Sequence, residues 1–84
     1  MRLVLTARSW DDHLYWQKDD KRMIRRINDL IKDIQREPFE GIGKPEPLKH
    51  QLQGLWSRRI DSVHRLVCEV AEDELRIVAC RYHY

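Results

Sequence analysis

The sequence predicts an α+β fold: an N-terminal strand, a two-helix hairpin, then a three-stranded antiparallel meander, with the helices on one face of the sheet. Three observations carry that expectation. Met23, Ile24, Ile27, Leu30, Ile31 and Ile34 recur at spacings of three and four, the period of one helical face. Three strand-like runs, 55–60, 63–71 and 75–82, fill the second half with short polar turns between them. All three prolines and all three glycines fall between these two textures, within residues 38–54.

The elements follow in order. Leu3-Val4-Leu5 is a short apolar run and opens the fold as a strand. Ser9-Trp10-Asp11-Asp12 reads as a helix start, with a hydroxyl to accept a free N–H and carboxylates to complement the positive helix end. Aspartate stands where a capping box has Glu or Gln. This first helix is expected to reach about Lys18, and Asp19-Asp20 to start a second over about residues 20–36. The remaining faces of the second helix carry Lys21, Arg22, Arg25, Arg26, Lys32 and Arg36 among others. They read as a solvated surface of i,i+4 pairs, with RNA contact the alternative. Residues 38–54 form a long loop that Phe39, Leu48 and Leu52 anchor, and loops of that length are usually functional. Asp61-Ser62 and Glu72-Asp73 turn the chain between the last three strands.

Composition bounds the function. The 84 residues suffice for one domain, 1–84. A chain of that size buries roughly 60% of its unfolded surface, too little to enclose a large cofactor beside its own core. An open cleft for a large substrate suits it better, and no cofactor is expected. Sixteen Lys plus Arg against 14 Asp plus Glu is nearly balanced, so net charge does not point to nucleic acid. The distribution matters more. Between residues 44 and 65 lie Lys44, Lys49, Arg58, Arg59 and Arg65, against only Glu46 and Asp61. Such a local surplus fits a polyanionic partner, and a merely solvated surface is the alternative. Cys68 and Cys80 sit in apolar runs without metal-ligand spacing, which predicts buried free thiols in a reducing cytoplasm. No signal peptide, membrane-length apolar run or metal site is visible, so a soluble internal protein without a membrane partner is expected. Trp10, Trp16 and Trp56 read as core or interface residues before base-stacking ones.

Three places can carry chemistry. Glu46 lies between Pro45 and Pro47, which hold the backbone extended and the carboxylate with little freedom. That suits a general base, and an ordinary loop glutamate is the alternative. His83 and Tyr84 end the chain directly after a predicted strand, which places a proton-transferring imidazole there or merely an aromatic sheet edge. Arg58, Arg59 and Arg65 lie in strands, where alternation sends Arg58 and Arg59 to opposite faces. A strand arginine facing a cleft suits phosphate, and parity leaves open which of the pair does so.

The strings Pro38-Phe39-Glu40-Gly41, Gly43 to His50, Trp56-Ser57-Arg58-Arg59-Ile60, His64-Arg65-Leu66-Val67 and Ala79 to Tyr84 resemble the YoeB family within the RelE/ParE toxins. Ser9-Trp10-Asp11-Asp12 and Tyr15-Trp16-Gln17 match near the start, so the resemblance spans the chain. It implies a RelE-like, microbial-ribonuclease-like fold and the toxin of a type II toxin–antitoxin pair. Such a toxin acts as a ribosome-dependent endoribonuclease that cuts mRNA and blocks translation. Partners implied are a YefM-type antitoxin, mRNA on the ribosome and a second copy in a homodimer, with DNA reached only through the antitoxin complex. By matching position, Glu46 is implied as general base, His83 as general acid and Arg65 as phosphate stabiliser. Tyr84 is implied to shape the site, and Lys49 and Arg59 to contact the RNA backbone. Val63 stands where relatives lead one to expect an acid, which leaves the base role to Glu46 alone. The competing expectation is a non-catalytic inhibitor of the ribosome or, as in ParE relatives, of DNA gyrase.

Overall fold

A computed structural model describes residues 1–82. The order is β1 (Arg2–Leu5), α1 (Ala7–Asp19), α2 (Lys21–Arg36), β2 (Glu46–Pro47), a 3-10 turn (His50–Leu52), β3 (Trp56–Arg59), β4 (Arg65–Ala71) and β5 (Glu74–Ala79). The five strands form one sheet in the order β1-β5-β4-β3-β2. The expected meander is β3, β4 and β5, each antiparallel to the next. β1 lies parallel to β5 at the edge, which the helical hairpin between them permits.

The helix boundaries follow the caps. α1 begins two residues before the expected Ser9, because Thr6 is the residue whose hydroxyl accepts the Ser9 N–H at 3.1 Å. Ser9 is buried instead, its hydroxyl donating to the Thr6 carbonyl at 3.1 Å. Asp20 closes α1 and opens α2: its N–H donates to the Trp16 carbonyl and its carboxylate accepts from the Arg22 N–H at 3.0 Å. A single residue therefore makes the hairpin. None of these helices is long and apolar enough to cross a membrane.

The α2 stripe packs on one face of the sheet. Ile27, Leu30 and Ile34 are fully buried against Leu66, Leu75 and Ile77. The opposite face has a smaller cluster, Leu48, Val67 and Ala79, under the loop that carries the 3-10 turn. Elsewhere that face is ionic, with Arg76 paired to Glu69 and Glu74.

β5 departs from simple alternation. Val67 pairs with Ala79 but Cys68 with Ile77, so Val78 is an extra residue and the strand bulges. Val78 and Ala79 thus share the outer face, and Cys80 turns back under the helices. The expected strand to Tyr82 stops at Ala79 for a physical reason. The Cys80 N–H donates to Asp12 at 3.0 Å and its carbonyl accepts from the Trp16 indole at 2.9 Å, so side chains of α1 take the groups a ladder would use. Both cysteines are free and buried. Burial pushes Cys68 up to about 11, and burial with the Asp12 charge pushes Cys80 to about 12. Trp16 is in the core and Trp56 is half-buried against Phe39, whereas Trp10 is half exposed.

Candidate functional site

The open face of the sheet, at the β2 end, holds a cleft of about 500 Å³. Glu46 sits in β2, extended as its flanking prolines require, and pairs in register with Ser57 of β3. Arg59 of β3 pairs in register with Arg65 of β4. Strand alternation puts all four side chains on the same face, and all four line the cleft together with Lys44. Ser62 and Val63 complete its wall.

Two arginines directly opposite each other repel, which works against the sheet. Neither forms an ion pair with a described residue. Lys44 adds a third cation, so one carboxylate faces three positive groups across a solvent-open cleft. That charge arrangement is complementary to an anion. Among the described residues, no group of three or more His, Cys, Asp or Glu is placed to hold a metal ion.

Arg58 turns inward, only 1% exposed. Its guanidinium pairs with Asp33 of α2 at 2.5 Å and donates to the carbonyls of Glu37, Pro38, Glu40 and Ile42 at 2.9–3.4 Å. It thereby ties the whole start of the loop to α2. Gly41 (φ +128°) and Gly43 (φ +81°) lie on this knot. A Cβ at Gly41 would sit 1.9 Å from Asp33 Oδ2, and one at Gly43 would meet Leu30 and the Arg59 carbonyl. Only glycine allows both the turn and the approach. The Gly43 carbonyl accepts the Arg59 N–H at 2.7 Å, so the knot sets where Lys44 and Glu46 begin. Asp33 is held at about 2, below its ordinary 3.8, by hydrogen bonds from Arg36, Arg58 and the Ile42 N–H.

At the other wall, the Arg65 guanidinium donates to the Asp61 and His64 carbonyls at 2.9 and 3.1 Å. Burial pushes the Asp61 carboxyl up, but the His64 and Val63 N–H groups it accepts, with the nearby His64 and Arg65, hold it below its ordinary value. The Arg65 N–H donates to the Tyr82 carbonyl at 2.8 Å. β4 begins at Arg65 and not at Val63, because Asp61 caps the Val63 and His64 amides into a turn.

Of the residues predicted from sequence, Glu46, Arg59 and Arg65 therefore share the cleft. Lys49 is exposed at the start of the 3-10 turn and does not line it. His83 and Tyr84 lie outside the described residues. Lys44, Ser57 and Ser62 were not singled out for the site. The basic surplus marks Lys44, and strand parity with Arg59 marks Ser57, once the β2–β3 pairing is known. Val63, 52% exposed, gives the wall an apolar residue where an acid was expected.

Residues 5–84 match the family model described as a YoeB-like toxin of bacterial type II toxin–antitoxin systems. The chain belongs to the YoeB toxin family. It is 63% identical to toxin YoeB of Escherichia coli K12 over 84 residues, covering 100% of both chains. A YoeB/ParE toxin structure from Agrobacterium tumefaciens superposes with a TM-score of 0.98 at 51% identity, again over 100% of both. A YoeB dimer and a heterotetrameric YoeB–YefM complex from Staphylococcus aureus superpose with TM-scores of 0.93 and 0.92. Each is 44% identical and covers 100% of this chain and 98% of the other. The protein is thus a toxin of a type II toxin–antitoxin system, with a sheet-and-two-helix fold shared across these toxins.

Proposed function

We propose that the toxin is a ribosome-dependent endoribonuclease that cuts mRNA by acid–base chemistry through the RNA 2′-OH. The observation that carries this reading is one carboxylate, Glu46, on the same sheet face as the facing pair Arg59 and Arg65. RNA supplies its own nucleophile, so a base, an acid and a cationic clamp suffice. Glu46 takes the 2′-hydroxyl proton, the oxygen attacks the adjacent phosphorus, and His83 protonates the departing 5′-oxygen. The products carry a 2′,3′-cyclic phosphate and a 5′-hydroxyl. Arg65 opposes the charge that grows on the phosphoryl oxygens. Arg59 and Lys44 bind the flanking backbone in the cleft, and Lys49 engages it further along the loop. Tyr84 shapes the acid's surroundings.

Two features support the assignment of the terminus. His83 is joined directly to Tyr82, whose carbonyl is bonded to the Arg65 amide. The Cys80 backbone is gripped by Asp12 and Trp16, so the chain approaches Arg65 from an anchored segment. A shallow cleft suits an RNA already held open by the ribosome. A purely binding inhibitor of ribosome or gyrase gains from three cations but loses from placing a carboxylate among them, so the nuclease reading is favoured. By analogy with the relatives, the toxin is neutralised by a YefM-type antitoxin and pairs with a second copy. It acts in the cytoplasm and meets DNA only through the antitoxin complex.

Mapping mRNA ends in translating extracts tests this. Wild type is expected to leave cyclic-phosphate ends in EDTA as well as without it. Glu46→Gln and His83→Gln are each expected to slow cutting by about 100-fold or more. Wild-type cutting by both variants would remove the mechanism. Growth arrest with intact mRNA and defective supercoiling would instead establish the binding inhibitor.

A further inference from the structure

We propose that His64 is a positioning residue, which clasps the Tyr82 backbone through its imidazole and thereby holds Tyr82 against Arg65. The inference rests on the nuclease reading for its effect on activity, but the clasp itself is a matter of geometry. Tyr82 has φ 62°, the left-handed region that a residue with a Cβ rarely adopts. Tyr82 is 53% exposed, so burial does not compel that conformation. What holds it is a pair of backbone hydrogen bonds. The Tyr82 N–H donates to His64 Nδ1 at 2.7 Å, and its carbonyl accepts from the Arg65 N–H at 2.8 Å.

His64 is itself fixed from three sides. Its N–H donates to Asp61 Oδ1 at 2.6 Å. Its ring stands edge-on to Trp16, centroids 4.8 Å apart at 83°. Its carbonyl accepts from the Ile60 N–H at 3.0 Å and from the Arg65 guanidinium at 3.1 Å. One residue therefore connects the Arg65 guanidinium to the backbone of Tyr82. Because Nδ1 is the acceptor, the neutral ring carries its proton on Nε2. Arg81 completes the arrangement, its guanidinium 3.4 Å above the Tyr15 ring and 4.6 Å from that of Tyr82. None of these contacts places His64 on the substrate, since the cleft is lined by other residues. It acts through Tyr82.

Three substitutions separate this from simple packing. His64→Phe keeps a ring against Trp16 and removes the acceptor. His64→Asn places an oxygen near the position of Nδ1, and His64→Gln places it towards Nε2. In a ribosome-bound mRNA assay, His64→Phe and His64→Gln are expected to lower kcat about 100-fold with KM little changed, the scale of a small misplacement. His64→Asn is expected to recover most of that loss. Amide hydrogen exchange reads the clasp without activity: Tyr82 should exchange faster in the Phe and Gln variants and stay protected in Asn. An Asn variant as slow as Phe would overturn the proposal, as would a Phe variant that cuts normally while its Tyr82 amide exchanges freely. Unchanged Tyr82 protection in the Phe variant would overturn the clasp. If wild-type toxin leaves mRNA intact, the nuclease reading fails, and the clasp is decided by the exchange pattern alone.

Discussion

Under the helices the sheet closes on Ile27, Leu30, Ile34, Leu66, Leu75 and Ile77, all aliphatic and essentially without access to water. At the cleft end, the loop from Glu37 to Gly43 closes on Arg58 and the backbone carbonyls it gathers. The first region tolerates small shifts, because dispersion and apolar burial have no fixed direction. The second has fixed donor and acceptor geometry, so it sets the starting point of the Lys44–Glu46 segment. A cleft lined from a loop needs that kind of support more than it needs additional core.

The sharpest way to break the comparison is Arg58→Ala. It removes one of the donors to Asp33 and takes the guanidinium from four loop carbonyls, and unfolding in urea should show a loss of about 3–5 kcal/mol. Arg58→Lys should recover only part, since an ammonium cannot reach five acceptors from one planar fork. An unchanged midpoint for Arg58→Ala would mean that the loop is held by something other than this knot.

A matched pair of Leu→Ala changes sharpens the contrast between the two apolar clusters. Leu30→Ala, at 0% exposure in the larger cluster, is expected to cost about 4 kcal/mol. Leu48→Ala, at 6% in the cluster of three, should cost about 2 kcal/mol and also slow cutting, because Leu48 follows Glu46 by two residues. Equal losses would show that the small cluster is as tightly packed as the large one.

Acid should open the polar region before the apolar one. The Asp33 carboxylate, held at about 2 by Arg36, Arg58 and Ile42, binds a proton less readily folded than unfolded. Its contribution is therefore complete above about pH 4 and is lost as pH falls towards 2. Melting temperatures between pH 2 and 5 should show a shallower slope in Asp33→Asn than in wild type. The smallest effect is expected from the thiols. Cys68 and Cys80, raised to about 11 and 12 by burial, should resist alkylation at pH 8 until the chain is unfolded.

The sequence by itself determined the helices and the meander, and it marked Glu46, Arg59 and Arg65 among the residues that line the cleft. Those follow from local rules: a period of 3.6 for α2, a period of 2 for β4, and the stiffening of Glu46 by two prolines. Even there, a hydroxyl three residues earlier than expected, that of Thr6, decided where α1 begins. Tertiary structure decided what no spacing encodes. Arg58 and Arg59 are identical side chains one position apart, and only the place of α2 over the sheet made one a buried brace and left the other in the cleft. The two-residue strand at Glu46, the parallel edge strand β1 and the bulge at Val78 depend on partners distant in the chain. The departure of Cys80 from the ladder has the same origin, since Asp12 and Trp16 lie 68 and 64 residues away. Backbone groups bond to whatever the fold brings near, and that is decided by how the layers stack rather than by the residues on either side.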